Sequence, residues 1–502
     1  MTKEEILKKA EYYARLNRSY SYVLQVFNYD QATIAPKGGA MEGNEAISFV
    51  ANELFKISKT DEYKELVEEA YKHRDEFDEP HKRLFEIKHK ELVESENIDP
   101  ETNYKLQLVF SNGGTIWEEA KNKSDYSIFK DALKDVIEAD KLLVELKPTK
   151  FANPYDSLLD SYEEGMNTEM LDNFFSKLKE RIVPLLQKIK ESKKKIRTDF
   201  LSRKVSKDIQ QKISIELLKF NDFNLNSGVL SESEHPFTCF PSHNDVRVTT
   251  HYYEDMFASN IYSVIHEGGH AIFAQNEPDE FYEIGLSGEM SMAQHETISR
   301  FYENIIGRSK EYTDHVYDII TNIYPELLSD VSKQEFFEAV NVVEPSLIRT
   351  EADELTYSLH IMIRYELEKA LMNNTLTVDN VKEEWNRLYK EYLGVDVTSD
   401  KEGILQDMHW SDGMLGYFPT YALGNAYGAQ ILNTMRKDLN FEETLKNGDL
   451  KTIKAWLKEH VFSCASLLKP KDWLIKITGE ELNPDFFLDY LENKYSKLYD
   501  LK

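Results

Sequence analysis

Residues 266–270 read HEGGH, inside the longer stretch NIYSVIHEGGHAIFAQN. On a helix, residues four apart stack on one face, so His266 and His270 can offer two imidazole nitrogens to a single divalent ion. Glu267 lies one step round the helix, placed to take a proton from water at that ion rather than to ligate it. Ile261, Val264, Ile265 and Ile272 supply apolar surface for packing such a helix into the protein. Each glycine inside a helix costs about 1 kcal/mol relative to alanine, and Gly268 and Gly269 are adjacent. An ordinary buried helix has little reason to carry that cost. A helix that another backbone or a substrate must approach closely has one.

Catalytic zinc takes three protein ligands and keeps a fourth position open, so a third ligand is expected downstream. The segment SMAQHETISRFYENIIGR (291–308) reads as a second helix, on which His295, Glu296 and Glu303 all qualify by type. Glu289 and the acidic group at 280–283 also lie within reach. Spacing alone does not choose among them.

The scaffold that must hold these residues reads as helical. Gly 20 and Pro 14 in 502 residues fall well below the usual combined share of about 12%, so long helices are the default. At the start of the chain Thr2 and Glu5 can form a capping box. Ile6, Leu7, Ala10, Tyr13 and Ala14 then line one face. Similar periodicity recurs in FSKLKERIVPLLQKIK (175–190), over 354–371 and in TIKAWLKEHV (452–461). The run ESKKKIR (191–197) reads as the solvated face of a helix. One region departs from the pattern: GVLSESEHPFTCFPSHNDVRVTTHYY (228–253) holds turn residues and the alternating segment DVRVTT. Val246 and Val248 should face one side, Arg247 and Thr249 the other. A short strand or hairpin is expected there, immediately before the HEGGH helix. No repeat, low-complexity segment or flexible linker divides the chain.

Charge and cysteine content narrow the setting. With 61 Lys+Arg against 89 Asp+Glu, the net charge of −28 repels phosphate backbones and anionic lipid, which argues against nucleic acid and membrane partners. Cys239 and Cys464 are the only cysteines, too few for a disulfide framework, and a reducing compartment is expected. The start MTKEEILKKAEYYARL has no apolar core after its charges, unlike a signal peptide. Nor is there a run of about 18 apolar residues. These features predict a cytoplasmic protein.

At this point the sequence resembles the carboxypeptidase Taq family of zinc metallocarboxypeptidases. HPF (235–237), DVRVT (245–249), HEGGH (266–270), HETIS (295–299) and IRTEADE (348–354) occur in that family's order. LQDMHWSDGMLGYFPTYALGNAYGAQ (405–430) is similar to its HWS…GYFPTY segment. YDQATIAPKGGA (29–40), NPYDSLLDSYEEGM (153–166) and KITGEELNP (476–484) match its terminal signatures. The resemblance implies an all-α, mainly helical fold with a deep cleft, similar to thimet-type oligopeptidases and angiotensin-converting enzyme, with a small hairpin or short sheet near 236–253. It implies one peptidase unit over 1–502, at most two helical lobes flanking the cleft, with the zinc-site core at about 235–430. A homodimer that trims residues from peptides with a free C-terminus follows from the same likeness.

The resemblance also assigns roles. Glu296 becomes the third ligand beside His266 and His270, for one zinc per chain, with cobalt able to substitute. Glu267 becomes the general base. Tyr421 and His409 become donors to the oxyanion, with Tyr417 contacting substrate. Arg349 and Arg247, both in family motifs, become candidates for gripping the terminal carboxylate, since arginine binds carboxylates bidentately. Structural ion pairs are their rival, for Arg349 with Glu351, Asp353 or Glu354. Two departures stand out. Thr297, Ile298 and Ser299 replace the family's usual tail after HE, and HVFSCASLL (460–468) lacks the expected His- and Gly-containing pattern. An endo-acting oligopeptidase with the same zinc site is one alternative function, and a non-catalytic peptide-binding protein is another. An intact Glu267 weighs against the latter, since binding alone needs no base.

Overall fold

With so few glycines and prolines to interrupt them, helices dominate the computed structural model, which describes residues 1–501. Helix α1 (Lys3–Thr33) opens with the Thr2–Glu5 capping box read from the sequence. Along its first turns Ile6 is fully buried, and Leu7, Ala10, Tyr13 and Ala14 are partly so. The 3.6-residue period therefore marks the inward face correctly. Ile6 joins Leu66, Leu84, Phe85, Phe281 and Leu286 in a small apolar cluster. A much larger core, from Ala120 to Tyr499, encloses the helices that carry the site motifs.

Three strands interrupt the helices: β1 (Gly228–Glu232), β2 (Thr238–Ser242) and β3 (Asp245–Thr250). Central β3 runs antiparallel to β2 and parallel to β1. The expected hairpin is thus present with one more strand than 236–253 could supply. Val246 and Val248 are fully buried, as the alternation requires. Thr249, on the opposite face, is buried too, because its hydroxyl accepts from Phe237 N–H at 2.8 Å and donates to Phe237 C=O at 3.0 Å.

Four helices build the site: α2 (Phe257–Ala274), α3 (Met292–Arg300), α4 (Glu354–Met372) and α5 (Pro419–Asp438). Helix α2 has no side-chain N-cap, yet 14 of its 18 residues are buried. Tertiary packing rather than local capping holds it. Local signals are stronger elsewhere. A Ser291–Gln294 capping box starts α3, which runs on as a π-helical turn over Phe301–Ile306. Asp353 caps α4, and Pro419, pre-set for the first turn, begins α5.

The reading of ESKKKIR as a helix face is corrected. That helix stops at Glu191, and 192–198 has no regular secondary structure. Two of its cations reach distant acids: Lys194 pairs with Glu338 at 2.8 Å, and Arg197, also held by Asp199, with Asp330 at 2.7 Å.

Candidate metal centre

The glycine pair of HEGGH has distinct neighbours. A Cβ on Gly269 would lie 2.9 Å from Ser299 Cα and 3.2 Å from Ile298 C=O, both backbone atoms of α3. On the other side of α3, a Cβ on Gly424 of α5 would lie 2.9 Å from Glu296 Cβ. Helix α3 is therefore clamped between two glycine-bearing helices, and its backbone approaches the histidines more closely than any side chain would permit. Gly268 faces only the Leu218 side chain, at 3.1 Å. Gly269→Ala gains about 1 kcal/mol of helix propensity but meets an overpacking cost of about 1–3 kcal/mol. Calorimetry is expected to show Gly269→Ala less stable than Gly268→Ala, where a flexible leucine can give way. The reverse order would remove the clamp argument.

The clamp brings one ligand atom each from His266, His270 and Glu296 within 4.8 Å of one another. His266 Nε2 lies 3.8 Å from Glu296 Oε2, and the two imidazole rings are 5.1 Å apart and nearly perpendicular. The other acids considered go elsewhere. Glu289 pairs with Lys88 at 2.7 Å. Glu303, two helical turns beyond Glu296, binds the opposite nitrogen of His266, Nδ1, at 2.8 Å. His295 stacks on His270 with ring centroids 4.0 Å apart.

Charge surrounds this cluster unevenly. Burial alone would raise the Glu303 carboxyl, but Arg300, with His266 and Arg308, holds it down at about 2. It is ionised and orients His266. Burial, with His295 beside it, pushes His270 well below the ordinary imidazole range, so it stays neutral as a ligand must. Its Nδ1 is buried with no hydrogen-bond partner. Two imidazoles and a carboxylate form a donor set that suits a divalent transition ion. The group therefore fits a metal.

Glu267 points from the same helix toward β2. Its Oε2 accepts from Thr238 Oγ1 at 2.7 Å, and burial pushes its carboxyl above the usual range. His409 Nε2 and Tyr421 OH share a hydrogen bond of 3.2 Å, with the Tyr417 ring 5.2 Å from that of Tyr421. Burial, helped by Arg349, pushes His409 down to about 3 and keeps it neutral. Burial also raises Tyr421 well above the phenol range, so its hydroxyl keeps its proton.

Arg349 belongs to the same cluster. It donates from Nε to Asp407 Oδ1 at 3.0 Å and from Nη1 to Tyr357 OH at 3.0 Å, and its guanidinium lies 5.0 Å from the Tyr421 ring centre. Its ion-pair partner is thus Asp407 and not the nearby acids: Asp353 caps α4, while Glu354 pairs with Lys494. Tyr357 OH also accepts from Arg300, whose Nε lies 3.5 Å from Glu296 Oε2. A continuous polar chain thereby joins Glu296 to Arg349. Arg247 stands apart, held by both oxygens of Asp245 at 2.8 Å and lying over Tyr29 of α1.

Thr238, Arg300, Tyr357 and Asp407 were not singled out from the sequence. Asp407 lies two residues before His409, in a segment matched as a whole, and that proximity was the available signal. Nothing in the sequence ties Thr238 or Tyr357 to the site, because their partners come from other elements.

Comparison with known proteins gives this geometry its context. The family model described as carboxypeptidase Taq (M32) metallopeptidase matches residues 9–495. The chain belongs to this family. It is 41% identical to carboxypeptidase 1 of Bacillus subtilis, with 96% of each chain covered. With thermostable carboxypeptidase 1 of Thermus thermophilus it shares 37% identity over 79% of each. The solved structure of Pyrococcus furiosus carboxypeptidase superposes with a TM-score of 0.94 at 32% identity, covering 99% of both chains. The expected recognition, the mainly helical fold and the metallocarboxypeptidase class are borne out.

The two segments that depart from the expected pattern both pack close to the site. In the altered HETIS tail, Ser299 Oγ donates to Glu296 Oε2 at 3.2 Å, while Ile298 packs in the core. In the 460–468 segment, Phe462 packs edge-on against Phe273 behind the HEGGH helix, and Ser466 donates to Glu277 just beyond its end at 2.5 Å. That segment buttresses α2 from the rear.

Proposed function

We propose that this chain is a zinc-dependent carboxypeptidase that removes residues from the free C-terminus of peptides, acting as one peptidase unit with its site inside residues 235–430. The convergence of His266, His270 and Glu296, with Glu267 on the same helix as the histidines, carries the reading. These three residues would hold one zinc, or cobalt in its place. Such an ion polarises the scissile carbonyl and makes water more acidic. Glu303 orients His266 through Nδ1. Thr238 occupies one oxygen of Glu267 and steadies the carboxylate, which takes the water's proton and passes it to the leaving amine. Tyr421 and His409, both neutral, donate to the oxygen that gains charge. Tyr417 lines the approach of the peptide. Arg349, with Arg247 the second candidate, takes the terminal carboxylate.

A homodimer is the assembly that the family resemblance supports. The two free cysteines support a reducing, cytoplasmic setting, and among the described residues no helix is long and apolar enough to cross a membrane. Incubating the protein with one peptide in free-acid and amidated forms, with and without chelator, tests the reading. Mass spectrometry is expected to show stepwise C-terminal loss from the free acid only, abolished by chelator. Equal, rapid cleavage of both forms would establish the endo-acting oligopeptidase instead.

The orienting role of Glu303 has its own test. Removing a carboxylate that fixes a metal-bound histidine typically costs about 10–100-fold in metal affinity. Competition with a chromophoric chelator is expected to show that loss in Glu303→Ala. Unchanged affinity would mean that His266 is held by packing alone.

A further inference from the structure

We propose that Glu368 is a positioning residue that fixes His409, by anchoring the loop that carries it at Trp410 and Gly416. The proposal rests on the reading of His409 as an oxyanion donor. Glu368 lies in α4 and is fully buried. Its Oε1 accepts from the Trp410 indole N–H at 2.7 Å, and its Oε2 accepts from Gly416 N–H at 2.8 Å and Tyr155 OH at 2.6 Å. Two of these three donors belong to the loop between the helix Val381–Tyr392 and α5. Gly416 has φ +96°, and a Cβ there would lie 3.0 Å from Leu158 C. Only glycine lets that N–H reach the carboxylate.

One turn earlier on the same helix, Arg364 donates from Nε to Asp407 Oδ2 at 2.7 Å. Residues four apart share a helix face, so one face of α4 holds the loop at Asp407, Trp410 and Gly416. His409 sits between the first two anchors. Its own ring is weakly specified: Nε2 meets Tyr421 OH at 3.2 Å, but Nδ1 is buried with no partner. A working histidine usually has its ring set by a bond at the second nitrogen. No protein group makes that bond here, and the loop anchors set the imidazole. Burying a carboxylate among three donors is costly for stability alone, whereas a fixed loop geometry gives it a use.

Glu368→Gln keeps the shape but replaces one acceptor oxygen with NH₂, which then faces either the indole N–H or Gly416 N–H. Neither donor can rotate away. Turnover of a free-acid peptide is expected to fall about ten- to hundredfold. KM should stay within about twofold and metal content should be unchanged. In a His409→Ala background the same substitution is expected to cost less than about twofold further, because the residue it positions is gone. Trp410→Phe removes one donor and keeps the ring, so a smaller fall in kcat is expected. It carries the test should Glu368→Gln not fold. Unchanged kcat in the Gln variant, or in the Phe variant where that one carries the test, overturns the proposal. So does an equal fold-loss in both His409 backgrounds, which marks Glu368 as structural support. A His409→Ala enzyme with normal turnover instead removes the oxyanion role of His409, and the proposal with it. If His409→Ala is impaired and Glu368→Gln is not, that role survives and the positioning claim alone fails.

Discussion

Glu267→Gln is expected to retain its metal and its fold and to lose about 10²–10⁴-fold in kcat, the range that a positioned general base supplies. The substitution is well suited to separating chemistry from structure. Glutamine keeps an oxygen for the 2.7 Å hydrogen bond from Thr238, so the side chain has the same anchor. What it lacks is a second oxygen able to take a proton. Elemental analysis should give one metal per chain in both proteins, and circular dichroism should superimpose. A variant that turns over peptide at near wild-type rate would return the proton transfer to another group. A wild-type protein that binds peptide without cleaving it would leave the residue with no proton to move, and the peptide-binding alternative would stand.

How far the sequence reached depended on whether a feature was local. The HEGGH pair was legible because its spacing is itself a helix geometry, and the capping box at Thr2 because it spans four residues. The extra strand Gly228–Glu232 was not, since it pairs with Val246–Thr250 across intervening chain and starts with a glycine that reads as turn. ESKKKIR misled for the same reason. Two of its cations, Lys194 and Arg197, reach Glu338 and Asp330, far along the chain. Spacing alone left the third ligand open among His295, Glu296, Glu303, Glu289 and the acidic group at 280–283. The clamp of Gly269 and Gly424 around α3 sets which of them meets the histidines, and half of that clamp lies more than a hundred residues downstream. The glycines of HEGGH signalled a close approach without saying what approaches. It is the backbone of α3.

Arg349→Ala is expected to lose about ten- to more than hundredfold in kcat/KM on free-acid peptides, from a forfeited charge-assisted contact of about 1.5–3 kcal/mol. Stability must fall as well, because Asp407 keeps Arg364 but loses one of its two guanidinium partners. Activity on a single substrate therefore cannot separate recognition from damage. Comparison of free-acid and amidated forms of one peptide does. Damage depresses both, whereas loss of a carboxylate contact appears only with the free acid and nearly vanishes with the amide, which the native enzyme is expected to cleave poorly. Arg349→Lys sharpens the distinction: it keeps the charge but not the two-pronged geometry, so a partial, free-acid-specific loss is expected. Arg247→Ala is the matched comparison, since Asp245 braces that guanidinium much as Asp407 braces Arg349. With side-chain exposures of 7% for Arg349 and 21% for Arg247, the drier site gives the stronger electrostatic contact. Arg349 is also joined through Tyr357 and Arg300 to Glu296, whereas Arg247 leans on α1. The larger free-acid effect is therefore expected at Arg349. The opposite order would place the carboxylate site on β3, and equal losses on both substrates in both variants would make the two arginines structural.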